Sequence, residues 1–262
     1  MSENPPVQIV KAPGGVLKTA FVGGASKGIG RAVAKHLASR GVRVIACGRT
    51  KEELDSLVAE LPLIEVPGPS PIETELKTHK AFVCDLSKTA ELEDRLKGLV
   101  REMGAIDILI LNSGGPKGGP ILDASPAEFE AAMQAHLHAN HILAKMYIPG
   151  MKARGAGRII AVLSTSVKNP IPNLGVSNAT RWAVAAWAKT LAGEVAPFGI
   201  TVNMVLPGYT RTGRLEELSK AAAEKRGIEQ EKVLEEWAKA APMGRIGEPE
   251  EVAAAIAFLC LP

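Results

Sequence analysis

Cysteine is scarce in this chain: three residues, Cys47, Cys84 and Cys260, among 262. Their spacing fits neither a metal-ligand set nor a disulfide framework. Cys47 and Cys84 fall in strand-like apolar runs, where a thiol behaves as a small hydrophobe. A disulfide-stapled scaffold is excluded, and a reducing, cytoplasmic compartment is expected. No apolar run approaches the roughly 20 residues that cross a bilayer, so no membrane partner is expected. The polar start, residues 1–8, lacks the basic and apolar regions of a signal peptide. A surplus of one charge is missing as well, because 31 Lys and Arg face 28 Asp and Glu for a net +3. The basic residues form no stripe, which argues against nucleic acid as a partner. No Ser- or Gly-rich linker and no short repeat divides the chain, so residues 1–262 read as one domain.

What is present is an alternation of two patterns. Apolar runs suited to buried parallel strands cover residues 17–22, 42–47, 80–84, 106–111, 157–163 and 201–206. Amphipathic stretches of helical length lie between and after them, at 29–40, 51–60, 89–103, 126–154 and 177–198. Repeated βαβ crossovers of this kind predict an α/β Rossmann fold, a doubly wound parallel sheet with helices on both faces. The Pro-rich stretch 62–71 reads as a loop insertion. Two polar helices, 215–226 and 230–239, followed by Pro242, read as a substrate cover at about 213–241, and a last helix spans 249–259.

The first strand runs into Gly23-Gly24-Ala25-Ser26-Lys27-Gly28-Ile29-Gly30 and then a helix. In that context Gly24 turns the chain tightly, Gly28 lets backbone N–H groups approach a pyrophosphate, and Gly30 permits close helix packing. The helix N-terminus favours the anion. These glycines resemble the T-G-x-x-x-G-I-G pattern of the short-chain dehydrogenase/reductase family, with Gly23 in place of Thr. The likeness extends over residues 17–261. Asp85-Leu86-Ser87 resembles the family's adenine-contacting turn, and Asn112-Ser113-Gly114-Gly115 its N-N-A-G segment. Pro207-Gly208-Tyr209-Thr210-Arg211-Thr212 resembles the P-G-x-x-x-T segment that holds the nicotinamide amide. The resemblance implies contacts to the cofactor from Gly24, Ser26, Lys27, Gly28, Ile29, Gly30, Asp85, Leu86, Asn112, Gly114, Pro207, Gly208 and Thr212.

An acidic residue near the end of the second strand would accept the adenine ribose hydroxyls and repel a 2′-phosphate. None is present in Ala46-Cys47-Gly48-Arg49-Thr50. Arg49 offers its fork to a phosphate and Lys27 a second positive charge, which favours NADP(H) over NAD(H). Alternatively, both are solvated cations.

The family's catalytic residues are a Ser after the fifth strand, a Tyr thirteen residues on, a Lys four further and an Asn on the fourth helix. Here the Ser position is Ser164, the Tyr position Ser177, the Lys position Arg181 and the Asn position His136. Ser177 and Arg181, at i and i+4, share a helical face. An unassisted Ser does not ionise near neutrality and Arg stays protonated, so this pair does not reproduce a titrating Tyr–Lys acid. His136 is the replacement donor by titration, since an unperturbed imidazole sits near 6.5; packing is the competing role. Tyr209 and Tyr147 are further candidates. Arg181 is suited to an anionic substrate or to ribose hydroxyls.

Two functions stay open. The first is an NADP(H)-dependent oxidoreductase similar to the 3-oxoacyl-carrier-protein reductase branch, acting on a carbonyl or alcohol that the sequence does not identify, with the usual Tyr and Lys replaced. The second is a catalytically inactive NADP(H)-binding protein, a redox sensor or assembly partner. The resemblance also implies a homo-oligomer, dimer or tetramer, although the family's seventh strand has no counterpart before Pro262.

Overall fold

The computed structural model describes residues 8–68 and 74–261. Its main sheet has six parallel strands: β2 (Lys18–Val22), β3 (Val42–Gly48), β6 (Lys80–Val83), β7 (Ile108–Leu111), β8 (Gly157–Val162) and β9 (Ile200–Val205). Their spatial order is β6-β3-β2-β7-β8-β9. This is the doubly wound arrangement, with its switch point between β2 and β7, where α/β folds open a crevice at the strands' carboxyl ends.

Alternation within each strand builds two cores. Ala20, Val22, Ile108, Ile110 and Ile160 point to one face, where α1 (Gly28–Ser39), α2 (Lys51–Glu60) and α9 (Pro249–Cys260) contribute Val33, Leu37, Leu54, Leu57 and Ile256. Phe21, Leu109, Leu111 and Ile159 point to the other. There α3 (Thr89–Met103), α5 (Ala139–Arg154) and α6 (Gly175–Val195) contribute Leu92, Leu96, Leu143, Met151 and Val184. Both faces of a parallel sheet are covered, so its strands read as continuous apolar runs. All three cysteines are buried and free.

Two expectations need correction. Stretch 62–71 is not simply a loop: it contains β4 (Leu63–Pro67), which pairs in parallel with β1 (Ile9–Lys11) and antiparallel with β5 (Thr74–Lys77). Ile64 and Val66 alternate inward onto Ala12, and this small apolar cluster outweighs the flanking prolines. Residues 69–71 of that stretch lie outside the described residues, as do 1–7 of the polar start and Pro262. The expected helix over 126–154 is also not uniform. It divides into α4 (Pro126–Met133), a π-helical turn over Gln134–His138, and α5. A Ser125–Glu128 capping box starts α4, satisfying its first free N–H groups. After β9 come α7 (Gly213–Arg226) and α8 (Gln230–Lys239) in the region expected to cover the site. Among the described residues no helix is long and apolar enough to cross a membrane, and no acidic, His and Cys cluster is arranged to hold a metal.

Candidate active site and cofactor cleft

The crevice begins where β2 ends. Gly24 and Gly28 adopt positive φ of 58° and 52°, which a side chain disfavours. Gly30 is required for a different reason: a Cβ there would overlap the Gly24 carbonyl oxygen. The helix would then have to move off the turn. The departure from the family at Gly23 has a local cause, since a Cβ at that position would lie 2.5 Å from the Asn112 carbonyl oxygen. Asn112 closes the crossover, its Nδ2 donating to the Gly23 carbonyl at 3.0 Å. Glycines at 24, 28 and 30 thus leave a cradle at the start of α1, Ile29 lying half-buried behind it, which fits a dinucleotide pyrophosphate.

At the carboxyl end of β3 Arg49 is exposed, and among the described residues it forms no ion pair. It lines a cleft of about 250 Å³ with Asp85, Lys88 and Arg95. Asp85 is held by Ser87, whose backbone N–H and Oγ donate to Oδ1 at 3.0 and 2.7 Å. Burial works against the Asp85 charge, but those two bonds and the nearby Arg49 outweigh it and lower its pKa. Leu86 is buried beneath this turn. Lys27 differs from expectation, because its Nζ pairs with Glu53 at 2.7 Å. Arg49, like Lys88 and Arg95 in the same cleft, forms no ion pair among the described residues. On the opposite side, Thr212 caps α7, its Oγ1 accepting from the Leu215 N–H at 3.4 Å, and its methyl would meet a Cβ on Gly28 at 3.0 Å. The Pro207 carbonyl accepts from the Thr165 N–H at 3.1 Å, which ties the Pro207-Gly208 segment to the end of β8. Gly114 is exposed, with open space where a side chain would stand.

Between these ends lie the four residues that the sequence pattern matches to catalytic positions. Ser164 Oγ accepts from the Ser166 N–H at 3.1 Å and keeps its own proton. Ser177 is buried, and its Oγ accepts from Arg181 Nε at 3.3 Å. Arg181 Nη1 donates to the carbonyls of Leu163 at 2.9 Å and Val162 at 3.3 Å. Burial, reinforced by the Arg214 charge, lowers its pKa to about 10, still protonated near neutrality.

His136, on the π turn, is buried with Nδ1 at 2.8 Å from Ser113 Oγ. Burial first, and Arg181 second, lower its pKa to about 4. The donor expected there is therefore a neutral ring near pH 7, without an extra proton to give. Folding stability follows from the same shift. The unfolded imidazole takes up a proton as pH falls through 6.5 while the folded one does not until about 4. Stability is then full above about pH 6.5 and declines by about 3 kcal/mol toward pH 4. Denaturant melts at several pH values test this. His79, also buried and lowered, acts in the same direction, so His136→Gln should shallow the decline without removing it.

Tyr147 is buried beside Phe21, and burial raises its pKa well above the ordinary phenol value, beyond any use as an acid. Tyr209 stacks on Trp237 of α8, ring centroids 4.8 Å apart. Two neighbours of the site escaped the sequence reading as chemistry. In the sequence Ser113 is only one member of the Asn112–Gly115 segment, and Arg214, two residues past Thr212, belongs to no motif.

A glycine-rich crossover turn, a switch point beside it and polar residues gathered past β7 and β8 define a dinucleotide-binding Rossmann protein. A sequence profile of the short chain dehydrogenase family matches residues 18–223. The chain belongs to the short-chain dehydrogenase family of oxidoreductases. It is 31% identical over 245 residues to the short-chain reductase protein NovJ of Streptomyces niveus, covering 93% of this chain and 87% of that one. A tropinone reductase homolog of Arabidopsis thaliana is 32% identical over 252 residues, covering 94% and 86%. Among solved structures, YwfH, an NADPH-dependent reductase of bacilysin biosynthesis, superposes with a TM-score of 0.81 at 26% identity, covering 94% and 92%. A variant of actinorhodin polyketide ketoreductase solved with NADPH superposes at 0.82 and 27% identity, covering 94% and 90%.

Proposed function

We propose that this protein is an NADP(H)-dependent reductase of a small carbonyl compound, working without a Tyr–Lys pair. The observation that carries the cofactor reading is Arg49, exposed and unpaired among the described residues where a carboxylate would refuse a 2′-phosphate. The reductases YwfH and actinorhodin ketoreductase, similar in fold, are described with NADPH.

Gly24, Ser26, Gly28, Ile29 and Gly30 would hold the pyrophosphate, Arg49 and Lys27 the 2′-phosphate, Asp85 and Leu86 the adenine, and Asn112, Gly114, Pro207, Gly208 and Thr212 the nicotinamide half. Bound there, the nicotinamide supplies hydride. The chain's own residues handle the substrate oxygen. Ser164 and Ser177 each accept a hydrogen bond and so keep an O–H to donate to it. Arg181 remains charged and stabilises the negative charge that grows on that oxygen. Neither hydroxyl is acidic, so the final proton enters from water, relayed through a serine. The neutral His136 holds Ser113 and sets the wall of the cleft. Helices α7 and α8 cover the substrate.

The test begins with calorimetry. NADPH should bind at least about tenfold more tightly than NADH, and Arg49→Asp should remove that preference. Loss of reduced-nicotinamide absorbance with a panel of ketones and aldehydes then separates a reductase from a binding protein. Tight NADPH binding with every carbonyl inert would establish the sensor instead.

A further inference from the structure

We propose that the cleft selects a carbonyl compound that also carries a carboxylate, gripped by Arg181 and Arg214 beside Gly115; the proposal rests on the reductase reading above. Arg181 uses Nε and Nη1 on Ser177, Val162 and Leu163, leaving Nη2 without a partner among the described residues. Arg214 uses Nη1 on Glu217 at 3.4 Å and Nη2 on the Pro116 carbonyl, leaving Nε without one. Both guanidinium groups converge on one spot. A Cβ built on Gly115 would lie 3.5 Å from Arg214 Nε, 3.6 Å from Arg214 Nη2 and 3.7 Å from Arg181 Nη2.

No carboxylate of the described residues bridges the pair. Glu217, the sole acid on Arg214, has a side chain 72% exposed, so water screens it, and Arg181 has no acidic partner. Two like charges facing one gap repel, and Arg181 is partly desolvated besides. An anion entering the gap relieves both costs. A planar carboxylate suits two guanidinium edges, since each offers N–H donors in a fixed plane. The backbone at Gly115, bare of a side chain, leaves it space. Three residues on, a Cβ built on Gly118 would meet Leu174 and Leu218 at 3.4 Å, so two leucines flank this segment and offer apolar contact to the rest of the molecule.

Gly115 follows Ser113, whose Oγ meets His136, by two residues, so the gap belongs to the same segment as that pair. The other available anion is the cofactor's own pyrophosphate, since Arg214 follows Thr212 by two residues. The experiment separates the two sources. Acetoacetate, 4-oxopentanoate and 5-oxohexanoate, each beside its methyl ester, are titrated calorimetrically into the protein with NADPH. At least one acid should bind about tenfold or more tightly than its ester, and Arg214→Gln should weaken that acid by about tenfold to a hundredfold. The ester and NADPH should change by no more than about twofold. Gly115→Leu keeps both charges but fills the gap, and should produce the same loss of acid. Unchanged melting temperatures certify that both variants fold.

If Arg214→Gln weakens NADPH as much as the acid, the cations serve the cofactor and the proposal is overturned. It is equally overturned if no acid outbinds its ester. Should NADPH itself fail to bind, the reductase reading falls alone, because the acid–ester comparison is repeated on protein without nucleotide.

Discussion

Gly30→Ala is expected to weaken dinucleotide binding by at least about a hundredfold, the scale on which a misplacement of about 1 Å slows a positioned reaction. The added Cβ would overlap the Gly24 carbonyl group, which is backbone and cannot swing aside, and would crowd the Asn112 amide as well. Helix α1 must retreat from the turn, so the N–H groups that face the pyrophosphate move together. Overpacking of this kind also destabilises by about 3 kcal/mol, measurable in a denaturant melt. Gly98 and Gly193 provide the contrast, since they lie within α3 and α6 with open space where a Cβ would stand. Their replacement by Ala should instead stabilise by about 0.5–1 kcal/mol each and leave cofactor binding unaltered. Equal cofactor affinity in Gly30→Ala and the parent would refute the account of the cradle.

Arg181→Met should lower kcat by about a hundredfold to a thousandfold, as removal of a donor to a developing oxyanion does elsewhere. The Met side chain fills similar space but offers no charge and no N–H. The carbonyls of Val162 and Leu163 lose their donor as well, so a melting curve accompanies the kinetics. A variant that melts like the parent yet turns over slowly assigns the effect to chemistry. Turnover at the parental rate would reduce Arg181 to a pin between α6 and β8. The same variant should lift His136 toward its ordinary pKa, because Arg181 is one of the two causes that lower it.

Much of this arrangement was legible beforehand, for reasons that differ by element. The six parallel strands announce themselves because burial on both faces demands unbroken apolar runs such as Ile108–Leu111. The glycine turn is readable because it sits between a strand and a helix. Spacing alone placed Ser177 and Arg181 on one face, and the structure joins them by a hydrogen bond. The small sheet was hidden, since Pro62 and Pro67 punctuate the segment and its partner strand Ile9–Lys11 lies far away in sequence. The state of His136 was equally hidden: a side chain's charge depends on what buries it, and that is decided by tertiary contacts. Arg214 illustrates the same limit, for its backbone partner Pro116 is 98 positions distant.

The widened turn at Gln134–His138 carries a geometric consequence of its own. One surplus residue in a helix of 3.6 per turn rotates everything before it by about 100° relative to everything after. α4 and α5 therefore present unrelated stripes to their neighbours, although the chain never leaves a helical path. Deleting a single residue there would restore the regular 3.6-residue turn and swing either the imidazole away from Ser113 or Leu143 out of the interior.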